Sequence, residues 1–105
     1  MTRREANTTL RNAYGRIDLN GNRGVIVIAE GPKFMTLLDP SDLSVTRVSA
    51  SDARHLKVEP DKRVRRRVLR RLKRRRTQFD QWGVPYPRRT VKAAVAQLSD
   101  AWRVL

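Results

Sequence analysis

The chain has no cysteine, a single histidine, and few aromatic residues, 6% of the total. Without thiolates, no disulfide and no Cys-type zinc site can hold the fold together. This fits a reducing interior. His55 has no second histidine or cysteine to share a metal with, so it reads as structural. No apolar run approaches the length of a membrane span. The opening stretch, MTRREANTTLRNAYGR, lacks the apolar core of a secretory signal. Acids are also scarce: ten Asp and Glu stand against 24 Lys and Arg. They are scattered, with no paired-carboxylate motif, and Ser41, Ser44, Ser49 and Ser51 sit in no nucleophile motif. Gly31-Pro32-Lys33 has neither the glycine spacing nor the following helix of a phosphate-binding loop, and reads as a turn. The expectation is a non-enzymatic protein with no cofactor, no metal, no small-molecule substrate and no membrane.

What the chain does have is positive charge, +14 in total and unevenly placed. Residues 1–12 carry Arg3, Arg4 and Arg11 against Glu5. Residues 13–60 carry six basic and six acidic residues and are neutral overall. Residues 61–105 carry fifteen basic and three acidic residues. A neutral module joined to a strongly cationic segment points to a polyanionic partner, most often a nucleic acid.

The neutral module reads as short strands separated by turns. Asn20-Gly21 between apolar runs is a strong hairpin cue. Gly31-Pro32 separates the β-rich runs Val25–Ala29 and Phe34–Leu38, and Asp39-Pro40 opens a third turn. SVTRVS has the β-branched content of a strand. SASDARHL reads as one helical turn capped by Ser51 or Asp52, and LKVEP as a last short strand. The spacing predicts five strands with Ile26, Ile28, Met35, Leu37 and Val48 on one inward face, curled into a small SH3-like β-barrel over residues 13–60.

The cationic segment predicts two helices. Lys62–Arg76 places eleven Lys or Arg in fifteen residues. Asp61 is its N-cap candidate, and Val64, Val68, Leu69, Leu72 and Phe79 form a narrow apolar stripe. An Arg-rich helix over 61–79 is therefore expected, with an aromatic and proline-containing connection over 80–89. Gly83 is a helix-stop residue, and Pro85 and Pro87 stiffen the connection. The last helix, 90–105, takes Thr90 as N-cap and lines up Val91, Val95, Leu98, Trp102 and Leu105. Arg88 and Arg89 precede it, at the end of the helix dipole that disfavours cations. Such a local conflict is a mark of functional demand. Trp82 reads as loop packing, Trp102 as core, and Tyr86 as balanced between packing and stacking on a base.

A solvated charged face is the ordinary fate of a charge run, but this run has too few acids for that. Its apolar stripe is too thin for a membrane-surface helix. Nine arginines against one lysine between Arg63 and Arg76 favour nucleic acid, because the guanidinium fork binds phosphate bidentately and stacks on bases.

Gly15-Arg16-Ile17, Val25-Ile26-Val27, Asp39-Pro40, Arg47-Val48, His55-Leu56 and Glu59-Pro60 together resemble the KOW, or translation-protein SH3-like, barrel. Within that class, residues 15–62 are most similar to the large-subunit ribosomal protein 14 family of archaea and eukaryotes. Asp39 stands where that family has Gly, and Lys57-Val58 interrupts its His-Leu-Glu-Pro closure. With the two helices read from the cationic segment, the expectation is an α+β protein, an SH3-like five-stranded β-barrel followed by two C-terminal α-helices. The resemblance implies ribosomal RNA and neighbouring ribosomal proteins of the large subunit as partners, in the cytoplasm. The expected RNA contacts are Lys62, Arg63, Arg65, Arg66, Arg67, Arg70, Arg71, Lys73, Arg74, Arg75 and Arg76. Arg88, Arg89, Arg3, Arg4, Arg11 and Tyr86 complete the set. The rival reading is a small DNA-binding or regulatory protein of the phage type, with a partner-binding barrel.

Overall fold

Turn chemistry and apolar patterning place eight elements along the chain. The computed structural model describes residues 10–18 and 21–103. They form β1 (Tyr14–Asp18), β2 (Asn22–Glu30), β3 (Phe34–Leu38), β4 (Val45–Ser49), α1 (Ala50–Ala53), β5 (Lys57–Val58), α2 (Lys62–Trp82) and α3 (Arg88–Arg103). The protein is thus α+β, with five antiparallel strands and two C-terminal helices. The sheet order is β4-β3-β2-β1-β5. This sheet is open: β4 and β5 are its edges, and β5 meets β1 only at Gly15 and Arg16. The close approach there needs glycine, because a Cβ on Gly15 would collide with the Lys57 carbonyl.

The β1–β2 hairpin is closed by the pair Asp18↔Asn22, with the Gly21 amide donating to Asp18 Oδ1 at 3.2 Å. Asn20 of the expected turn lies outside the described residues. Gly31-Pro32-Lys33 makes the next turn, where the Gly31 amide donates to the Phe34 carbonyl. Asp39 accepts from both the amide and the hydroxyl of Ser41, as its place before Pro40 requires. α1 follows β4 without a linker, so its cap is Ser49, whose Oγ accepts from the Asp52 amide, rather than Ser51 or Asp52.

The expected inward face divides in two. Ile26 and Ile28 face the helices, sharing a core with Tyr14, Leu38, Val68, Leu72 and Leu98. Met35, Leu37 and Val48 lie on the opposite face with Ile17, Val25, Val27 and Ala53. Strand β2 is buried on both sides, which explains its unbroken Val-Ile-Val-Ile run, and a register shift falls between Val27 and Ala29.

α2 begins at the Asp61 cap, whose Oδ1 accepts from the Arg63 amide at 2.8 Å. The helix runs on past Phe79 to Trp82 and stops at Gly83, in the left-handed conformation at φ 69°. The amide of Val84 donates to the Phe79 carbonyl, satisfying the helix end. The connection is therefore residues 83–87, shorter than the expected 80–89. α3 starts at Arg88 rather than after Thr90, because the Val91 amide donates to the Pro87 carbonyl at 3.0 Å. Proline loses nothing at a helix start, where its missing N–H has no partner to find. Val91, Val95, Leu98 and Trp102 are all buried, and Leu105 lies outside the described residues.

Candidate nucleic-acid interface

Val68 and Leu72 are buried in the core shared by sheet and helices, with Val64, Leu69 and Phe79 half-buried beside them. This docking fixes which way the arginines point. Arg63, Arg67, Arg70 and Arg74 recur at intervals of four, three and four residues, on the side of α2 opposite Val68 and Leu72. All four are exposed, as are Arg66 and Lys73 on one flank and Arg71 on the other. From Arg63 to Arg74 this ridge extends about 16 Å along the helix axis.

The ridge carries charge that the protein does not itself neutralise. Among the described residues, Arg66, Arg67, Arg70, Arg71, Lys73 and Arg74 have no carboxylate within ion-pair distance. Arg63 lies 3.8 Å from the exposed Asp61 carboxylate, a loose contact at the helix start. Six like-charge pairs stand at i and i+4 between Lys62 and Arg75. Each costs about 0.2–0.5 kcal/mol. Full burial of one aliphatic side chain contributes about 1.5–3 kcal/mol, so Val68 and Leu72 together outweigh this repulsion. α2 is held helical by its docked face.

The other expected contacts fall into different surroundings. Lys62 is exposed at the start of α2. Arg65, Arg75 and Arg76 are half-buried beside the docked stripe. Arg65 reaches the Pro60 carbonyl at 3.4 Å, and the Nε atoms of Arg65 and Arg75 are buried without a hydrogen-bond partner. Arg71 borders a notch shared with Arg16, Arg23 and Asp42. Arg11 meets α3, its guanidinium donating to Gln97 Oε1. Arg89 is exposed in the first turn of α3, beside Ile28 and Thr36. Arg3 and Arg4 lie outside the described residues.

Arg88 and Tyr86 engage the protein's own groups. The Tyr86 hydroxyl donates to Asp80 Oδ1 at 2.6 Å, and Arg88 lies 3.5 Å from the same oxygen. The Arg88 guanidinium stands 5.5 Å from the Tyr86 ring centroid, and that ring meets Phe79 edge-on at 6.0 Å. Asp80 thus answers one of the two cations at the start of α3, Arg88, while Arg89 has no carboxylate within ion-pair distance among the described residues. Burial raises the Tyr86 pKa, and the hydrogen bond and charge of Asp80 add to this, against opposing effects from Arg88 and Arg76.

Trp82, too, stands otherwise than its sequence neighbours suggest. It is 62% exposed rather than packed into a loop. The signal was available in Gly83: a left-handed cap there extends α2 to Trp82 and sets the indole at the margin of the apolar stripe. The lone His55 is exposed near the end of α1, and no group of three metal-ligating side chains occurs among the described residues. No helix among them is long and apolar enough to cross a membrane.

No family model, curated protein or solved structure matches this chain.

Proposed function

We propose that the protein is a structural RNA-binding protein of the large ribosomal subunit, which uses α2 to neutralise ribosomal RNA phosphates. The observation that carries this reading is the docked arginine ridge: Arg63, Arg67, Arg70 and Arg74 project from one side of a helix whose other side is locked into the core. Arg66, Arg71 and Lys73 broaden it. A rigid row of guanidinium forks can engage several phosphates at once without first being ordered, which lowers the entropic cost of binding. The neutral sheet then faces neighbouring ribosomal proteins or solvent. The meander order of the strands, with a helical turn before the last, supports reading the sheet as an opened SH3-like barrel. The short motifs in residues 15–62 support placing it with ribosomal proteins.

Co-sedimentation tests the assignment. The full chain should travel with large subunits through a high-salt cushion, and structured ribosomal RNA should outcompete duplex DNA at matched salt. Loss of the chain from large subunits, or a preference for the DNA duplex, contradicts it.

A further inference from the structure

Among the described residues, Trp82 is one of three large hydrophobic side chains that remain exposed, with Phe34 and Val58. A tryptophan buries 150–250 Å² in a typical core, so leaving it in solvent forgoes a substantial stabilisation. It is not loosely placed. Its ring packs against Phe79 with centroids 6.4 Å apart and planes inclined at 37°, and Phe79 is itself held edge-on by Tyr86. Tyr86 is fixed by its hydrogen bond to Asp80.

A line of basic residues leads along the helix toward this indole. Arg71, Arg75, Gln78 and Trp82 recur at four, three and four residues, so they follow one line along α2. Arg71 is exposed, and the Arg75 Nε has no partner. Asp80, the only acid within α2, is already engaged by Arg88 and Tyr86. A supported aromatic face at the end of a row of phosphate-binding cations is the arrangement that stacks nucleobases.

We infer that Trp82 is a stacking platform for an unpaired base, adjoining the phosphate-binding ridge. The preferred ligand is then an RNA duplex continuing into a single strand: the duplex backbone lies along the arginines, and the first splayed base rests on the indole. This rests on the proposed RNA binding by α2 and adds to it a preference for a junction, since bases within a duplex offer no free face.

The probes are a blunt RNA hairpin, the same hairpin with a short oligoadenylate extension, and the same extension made abasic. The full chain should bind the adenylate-extended hairpin about tenfold more tightly than the other two, since stacking on an aromatic side chain is worth roughly that much per base or more. Trp82→Ala should remove this preference while leaving affinity for the blunt hairpin unchanged. Trp82→Phe should keep most of it. Indole emission should be quenched by the extended hairpin in the natural protein and not in Trp82→Phe, where the buried Trp102 alone emits.

Equal binding of the three hairpins, with Trp82→Ala indistinguishable from the natural protein, overturns the stacking role and leaves the ridge intact. Failure to bind any hairpin overturns both. A fluorescence response to phosphatidylserine vesicles but not to RNA also overturns it, in favour of a lipid surface.

Discussion

The indole Nε1 of Trp102 donates a hydrogen bond to the carbonyl oxygen of Asn12 at 2.8 Å, across ninety positions of sequence. Gln97 reinforces the same junction, its amide donating to Asn12 Oδ1 and to the Ile28 carbonyl. α3 is thereby fastened to the segment entering β1 and to β2, and α2 packs on α3 and the sheet in turn. The last helix of the chain thus helps to position the ridge.

Trp102→Phe should test that fastening. It leaves the half-buried Asn12 carbonyl without its donor, a loss of about 0.5–1.5 kcal/mol. Chemical denaturation should show the unfolding free energy fall by that amount and the midpoint fall with it. An unchanged midpoint would show that the bond contributes little.

Leu72→Ala should destabilise by about 2–5 kcal/mol, as truncation of a buried leucine does. Arg70→Ala, two residues away on the exposed side, should leave stability within about 0.5 kcal/mol or raise it slightly by relieving like-charge repulsion. Parallel denaturation curves check the contrast. Equal effects from the two would mean that α2 is not docked by this face.

That contrast was legible in the sequence, because Val64, Val68, Leu69 and Leu72 are the apolar interruptions in a run of arginines. The Asp61 cap and the Trp102 core position were legible for similar local reasons. The two-sided burial of β2 was not: Val25, Ile26, Val27 and Ile28 offer no alternation from which to choose a face. Nor was the pairing of Arg88 with Asp80, since they lie eight positions apart and a turn of the chain between helices brings them together. Thr90 looked like a cap because threonine often is one. The Pro87 carbonyl took that place through backbone geometry that composition does not encode.

The Tyr86 phenol should titrate above the ordinary tyrosine value of about 10. Burial raises it first, and the Asp80 carboxylate raises it further. A phenol pKa raised on folding contributes stability fully present below the ordinary value and lost as pH climbs through the folded one. Alkaline difference spectra of the natural protein against Tyr86→Phe should report the raised midpoint, and Asp80→Asn should lower it. A midpoint at or below the ordinary value would remove the Asp80–Tyr86 bond from the account of this cluster.

Binding of RNA phosphates by the exposed face of α2, as proposed, makes affinity depend on salt. Affinity for ribosomal RNA should be measured across a salt series for the natural chain and for a variant with Arg63, Arg67, Arg70 and Arg74 all changed to Gln. The natural chain should lose affinity steeply, and the variant's log–log slope should be shallower by about 0.7–0.9 for each phosphate contact removed. No binding at low salt, or the same slope in both proteins, would contradict it.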